Sequence, residues 1–192
     1  MNIVIIQGSP RKNGHTKQFS QPCIDELRKC GANVEELWLC DKLVKPCLEC
    51  GVCQNKIGEF GCVQQDDVQA IFDQLRKSHL ILFSVPIFSG FAPSIVKTFM
   101  DRFIYASVKN YGTVKAASFM EGKKCAILLT SGRNPESMLP GFEFAVQVLC
   151  KHLGMDYVGW PGATDPEKGY AFMNEKKAER AVAFAHTLPD SM

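Results

Sequence analysis

Short apolar runs alternate along the chain with segments in which apolar residues recur every three or four positions. The runs predict strands near 2–7, 33–39, 80–85, 125–130 and 156–160, and the periodic segments predict helices near 15–30, 66–77, 93–105, 139–153 and 174–187. Leu80-Ile81-Leu82-Phe83 and Ala126-Ile127-Leu128-Leu129 have no polar face, as strands covered by helices on both sides require. The helices carry one stripe each: Val68, Ile71, Phe72 and Leu75 follow the i, i+3, i+4, i+7 rule, and Phe19, Cys23, Leu27 and Cys30 nearly do.

This alternation predicts an α/β fold: a flavodoxin-like, doubly wound five-stranded parallel sheet of order 2-1-3-4-5, with helices on both faces and ligands at the carboxyl ends of the strands. Asp66 or Asp67 is a candidate cap for the second helix. Pro22 conflicts with a first helix that starts at Thr16, and a late start capped by Ser20 would remove the conflict. That boundary stays open.

With 192 residues, 46% hydrophobic and 22% charged, and no Pro/Ser/Gly-rich tract or charge block, the chain reads as one domain over 1–192 with a Cys-rich insertion at about 46–63. No apolar run approaches the roughly 20 residues of a membrane span. The start, Met1-Asn2-Ile3, shows no export signal, so a cytoplasmic location is expected. A net charge of +2 with dispersed Lys and Arg gives no field for nucleic acid or a membrane surface. The cysteines number nine, an odd count, and four of them crowd between Cys47 and Cys62, which points to thiols or metal ligands rather than a disulfide framework.

The candidate chemistry starts at the end of the first strand. Gly8-Ser9-Pro10-Arg11-Lys12-Asn13-Gly14-His15-Thr16 follows Ile3-Val4-Ile5-Ile6 and leads into a helix, so unpaired N–H groups and a positive dipole end point at whatever sits there. Ser9 and Thr16 supply hydroxyls, Arg11 a bidentate cation, and Gly8 and Gly14 close backbone approach. A phosphomonoester is the expected occupant. The glycine spacing is one residue too long for a Walker A loop and His15 stands in place of its lysine. Gly-x-Gly-x-x-Gly is absent after the first strand, and a Cys-x5-Arg phosphatase loop fails because Ser131 stands where the Arg after Cys125 would be.

Gly8 to Thr16 resembles the FMN phosphate loop of the NAD(P)H-dependent FMN reductase and iron-sulfur flavoprotein family. The resemblance extends through Pro46-Cys47-x2-Cys50-x2-Cys53 with Cys62 and Asp66-Asp67, through Ser84-Val85-Pro86-Ile87-Phe88, and through Lys97-Thr98-Phe99-Met100-Asp101-Arg102, covering about residues 1–135. It implies that Ser9, Arg11, Asn13, Gly14, His15 and Thr16 hold the FMN phosphate, that Pro86, Ile87, Phe88, Ser89 and Gly90 edge the isoalloxazine, and that Ser131, Gly132 and Arg133 complete the site. His15 is equally readable as a solvated loop histidine, and 86–90, taken alone, as an ordinary loop. Asp101-Arg102 reads as a solvated or helix-packing pair, with a subunit contact as the sharper alternative.

Cys47, Cys50, Cys53 and Cys62 lie close enough on an irregular loop to converge on one soft metal centre. The resembled iron-sulfur flavoproteins use such a motif for a [4Fe-4S] cluster, with a shorter last gap than here, while other relatives keep similar cysteines without one. A cluster, redox-active thiols and, as a third reading, tetrahedral Zn2+ all stand open.

The resemblance implies an FMN oxidoreductase with NAD(P)H as co-substrate, a small acceptor such as a quinone, nitro or azo compound, flavin or metal oxyanion, no side-chain acid or base, and a homodimer or homotetramer. With a cluster, a ferredoxin-like donor takes the place of the nicotinamide. A flavin shuttle between proteins, as in flavodoxins, is the alternative class; their phosphate loop lacks the Pro-Arg pair found here. A flavin-free binding module is a third. Donor and acceptor depend on the loops at 106–122 and 161–173.

Overall fold

The computed structural model describes residues 1–110, 118–166 and 170–190, with side chains to 188. Its elements in chain order are β1 (Asn2–Gln7), α1 (His15–Lys29), β2 (Asn33–Trp38), α2 (Val68–Arg76), β3 (Leu80–Ile87), α3 (Ser94–Ser107), β4 (Lys124–Ser131), α4 (Pro135–Met138), α5 (Pro140–Leu153), β5 (Asp156–Tyr157), β6 (Gly162–Thr164) and α6 (Glu175–Asp190). Every strand pairing is parallel, and the order β2-β1-β3-β4-β5 is that of a flavodoxin-like sheet.

The fifth strand departs from the expectation. It is two short pieces, β5 and β6, both paired with the outer edge of β4. Gly159 at φ 101 and Pro161, which has no N–H, interrupt it. The ladder still runs across the break, because Ile127 N–H donates to the Gly159 carbonyl and Leu129 N–H to that of Pro161.

Strand alternation sorts the core into two layers. Ile3, Ile5, Leu80, Leu82, Ala126 and Leu128 meet Phe19, Cys23, Ile24 and Leu27 of α1 and Ala181, Ala185 and Leu188 of α6. Val4, Ile6, Ile81, Phe83, Val85, Ile127 and Leu129 meet α2, α3 and α5 through Phe72, Phe99, Phe103 and Phe142. All eight residues of β4 are buried, which explains why its central run Ala126-Ile127-Leu128-Leu129 has no polar face.

α1 runs unbroken through Pro22, and Ser20 is an interior residue whose Oγ donates to the Lys17 carbonyl. An interior proline costs a helix about 3 kcal/mol. Burial of Phe19, Cys23, Ile24 and Leu27 on both sides of it outweighs that, at roughly 1.5–3 kcal/mol for each large apolar side chain.

Candidate functional site

β1, β3 and β4 are neighbours, and the pairings Gln7 with Ser84, Ile87 with Ser131 and Ser131 with Thr164 bring the loops after four strands to one crevice. Gly8 opens the first loop. Its N–H donates to the Ser84 carbonyl at 2.9 Å, and a Cβ there would stand 2.6 Å from Val96 Cγ2 and 2.9 Å from Val85 Cγ1. Only glycine lets the chain leave the sheet so close to β3 and α3. The loop then closes on itself, with Arg11 N–H donating to Ser9 Oγ at 3.2 Å and Gly14 N–H to the Arg11 carbonyl at 3.0 Å.

Among the described residues no side chain caps the N-terminus of α1, and its first turn holds no acidic residue. Its free N–H groups and dipole therefore face the crevice uncompensated, which suits an anion. The Thr16 and Thr130 hydroxyls are 2.7 Å apart and lock this turn to β4. His15 is no free loop side chain: its ring stacks on Phe172 at 4.3 Å between centroids and its Nδ1 lies 2.9 Å from Asp165 Oδ1.

The second wall is a tight turn. Phe88 and Phe91 exchange backbone hydrogen bonds of 2.7 and 3.1 Å, with Ser89 at φ 51 and Gly90 at φ 80 between them. Positive φ at both central residues is what a two-residue type I′ turn requires. Phe88 is left exposed at the rim. The third wall is the end of β4, where Ser131 Oγ donates to the Arg133 carbonyl at 2.6 Å.

These walls enclose a cavity of about 320 Å3 lined by Ser9, Arg11, Gly14, His15, Thr16, Pro86, Ile87, Phe88, Thr130, Ser131, Gly132 and Asp165. Ten of the residues proposed from sequence are thereby brought together. Asn13, Ser89, Gly90 and Arg133 flank it in the same loops without lining it. Sequence reasoning missed Thr130, which follows the apolar run of β4, and Asp165, which lies 150 residues from its partner His15 and has no local signal. A larger cavity of about 420 Å3 at the amino-terminal edge, lined by residues such as Asn2, Asn33, Glu35, Asp73 and Lys77, has no helix N-terminus or glycine loop directed into it. Chemistry therefore favours the carboxyl-end crevice. Its residues fit FMN: an uncapped helix start, one arginine, and open space within 4 Å of where a Gly132 Cβ would be.

The cysteine segment packs beside α2 and α3. Cys47, Cys50, Cys53 and Cys62 line one pocket of about 100 Å3 together with Leu48, Glu49, Gly51, Gln54, Gln64 and Tyr105. All nine cysteines are free thiols. The long gap before Cys62 does not carry it away, because Phe60 is buried against Phe72 at 4.8 Å between centroids and Gly61, at φ 70, turns the chain back.

Beneath the pocket lies Arg102, which is 2% exposed and so neither solvated nor on a surface. It forms an ion pair with the buried Asp66, donates to the Lys45 carbonyl at 3.3 Å and, through Nη2, to Cys62 Sγ at 3.3 Å. Burial pushes the Asp66 carboxyl up, but the Arg102 guanidinium and the Lys45 and Val68 N–H groups outweigh it and hold it below the usual range. Asp67 is the residue at the N-cap of α2 but makes no side-chain capping bond there, its carboxylate accepting instead from Leu43 N–H at 2.7 Å; Asp66, one residue earlier, accepts from Val68 N–H at 3.2 Å. Burial pushes the Cys53 thiol up, opposed by the charge of Lys109.

Residues 111–117 and 167–169 of the two loops expected to select donor and acceptor lie outside the described residues. No helix among the described residues is long and apolar enough to cross a membrane.

The sequence profile of the NADPH-dependent FMN reductase family matches residues 1–155. An iron-sulfur flavoprotein of Methanosarcina thermophila is 28% identical over 111 residues, 58% of this chain and 56% of that one. One from Archaeoglobus fulgidus is 33% identical over 104 residues, 54% of this chain and 46% of that one. The matched region thus spans about half the length of these curated relatives. Among solved structures, an FMN-dependent NADH-azoreductase of Bacillus anthracis in complex with FMN superposes with a TM-score of 0.69 at 16% identity, covering 98% of this chain and 99% of that one. At that identity the likeness is one of fold.

Proposed function

Because the chain belongs to the NADPH-dependent FMN reductase family, we propose that it binds FMN in the carboxyl-end crevice and passes electrons from NAD(P)H to a small acceptor such as a quinone, nitro or azo compound, flavin or metal oxyanion. The observation that carries this reading is the cavity in which the uncapped start of α1, Arg11 and the turn at 86–90 converge. In it, the amides of the 9–16 loop with Ser9, Arg11 and Thr16 hold the phosphate, and Pro86, Ile87 and Phe88 flank the ring. Asn13, Ser89, Gly90 and Arg133 shape the loops around these contacts. His15, held by Asp165 and Phe172, closes the phosphate end. The bound flavin supplies the hydride and electron chemistry, and the protein supplies position, electrostatics and access. No side-chain acid or base is required.

The test is purified protein mixed with FMN and assayed for NAD(P)H oxidation with a quinone or nitro acceptor. Protein that takes up no flavin overturns the reading. Flavin-loaded protein that turns over only with a protein partner replaces it with an electron carrier.

A second reading is favoured by the pocket that all four clustered cysteines line. Here Cys47, Cys50, Cys53 and Cys62 hold a [4Fe-4S] cluster, and single electrons arrive from a ferredoxin-like donor. Iron and acid-labile sulfide in anaerobically purified protein support it, and metal-free protein with four titratable thiols in that pocket counts against it.

A further inference from the structure

The charges beneath the cysteine pocket lie outside the lining of the crevice proposed for FMN. Arg102 and Asp66 neutralise each other, yet Arg102 Nη2 still donates to Cys62 Sγ, and its Nε is a buried donor without a partner among the described residues. Lys109, 1% exposed, donates through Nζ to the Cys53 carbonyl at 2.9 Å and the Phe60 carbonyl at 3.0 Å, and no carboxylate lies within ion-pair distance among the described residues. A buried ammonium satisfied by carbonyls but left without a counter-charge is costly on its own. What lies next to it is the pocket of four thiols.

We propose that Arg102 and Lys109 are positioning residues of this pocket: a buried floor in which Lys109 supplies the uncompensated positive charge and Arg102 an N–H···S hydrogen bond, holding Cys53 and Cys62 in place and raising the reduction potential of an iron-sulfur cluster bound there. This rests on the cluster reading above. A four-thiolate cluster carries net negative charge, and its one-electron reduction adds another negative charge without making or breaking a bond. A nearby fixed cation and an N–H···S hydrogen bond both favour the more negative, reduced form. The two residues also use their donors differently. Arg102 reaches a ligand sulfur directly, whereas Lys109 fixes the backbone on either side of the gap between Cys53 and Cys62.

The experiment measures iron, sulfide, bound FMN and cluster midpoint potential in anaerobic full-length protein, for the wild type, Lys109→Met and Arg102→Lys. Because Arg102→Lys risks exposing a defect at Asp66, the paired variant Arg102→Gln with Asp66→Asn removes both buried charges together. Expected are wild-type FMN content and a potential shifted negative in Lys109→Met and in at least one Arg102 variant. Wild-type iron content with an unchanged potential in all of them overturns the proposal and leaves the cluster reading standing. Wild-type protein without iron and sulfide overturns both.

Discussion

Thr16, in the first turn of α1, and Thr130, near the end of β4, share a buried hydrogen bond of 2.7 Å across 114 residues of sequence. It fixes the helix start against the sheet at the place where the amides of the phosphate loop converge. Thr16→Val or Thr130→Val leaves one hydroxyl buried and unpaired, a cost of about 1–2 kcal/mol. The double variant should lose less than the sum of the singles, because both polar groups are gone. Urea denaturation of the four proteins measures this coupling, and additive losses would show that the bond carries no energy.

Arg11 is an exposed cation on the wall of the crevice proposed for FMN. Arg11→Ala should weaken FMN binding about tenfold while leaving riboflavin, which lacks the phosphate, unchanged. The deficit should shrink as salt rises, since the contact is partly solvated. Quenching of flavin fluorescence reads both affinities. An equal loss for the two flavins would place Arg11 away from the phosphate.

Asp165 puts a negative charge on the wall of the crevice proposed for the FMN phosphate, where it pairs with His15. Both side chains are about half exposed (44% each), so solvent screens the pair. Asp165→Asn keeps the size, removes the charge and should tighten FMN binding roughly two- to fivefold. Weaker binding would mean instead that the carboxylate serves mainly to orient His15.

Burial pushes the Cys23 thiol up to about 12. A raised thiol pKa favours the protonated form in the folded state, so the unfolded chain releases its proton first as pH rises past the ordinary value near 9. Stability should therefore fall between pH 9 and about 12. The slope in Cys23→Ala should be shallower by up to one proton. Asp66 acts at the other end: its lowered pKa contributes stability above the ordinary value of 3.8, and this is lost as pH falls through the folded value. Denaturation midpoints against pH test both signs.

Phe60 anchors the long gap of the cysteine segment in the core. Phe60→Ala should cost about 3 kcal/mol and, by freeing residues 54–61, should abolish any metal held jointly by Cys53 and Cys62 while FMN binding survives. Retained metal would show that the four cysteines converge without this anchor.

Much of this architecture was readable from residue order. The strands at 2–7 and 80–87 and the helices at 68–76 and 140–153 have sequence periods that match their faces, because a strand buried on two sides must be apolar throughout and a helix on one side only along a stripe. The course of the loop after β1 was equally legible, since Gly8 and the helix start after it are local demands of the backbone. Pro22 was the misleading signal: a local helix breaker sits in a helix that tertiary burial holds together.

Sequence by itself determined which segments are strands and helices, that the chain makes a parallel sheet, and that the loop after the first strand leads into a helix start at the sheet's carboxyl end. Those are properties of neighbours within a few residues, set by backbone sterics and hydrophobic period. Tertiary structure alone decided that β5 and β6 share one edge of β4, that Asp165 reaches His15, and that Arg102 sinks beneath the cysteines to meet Asp66 and Cys62. Each of these joins residues far apart along the chain. Burial and charge pairing become specific only once the core has placed both partners, and no local pattern encodes that choice.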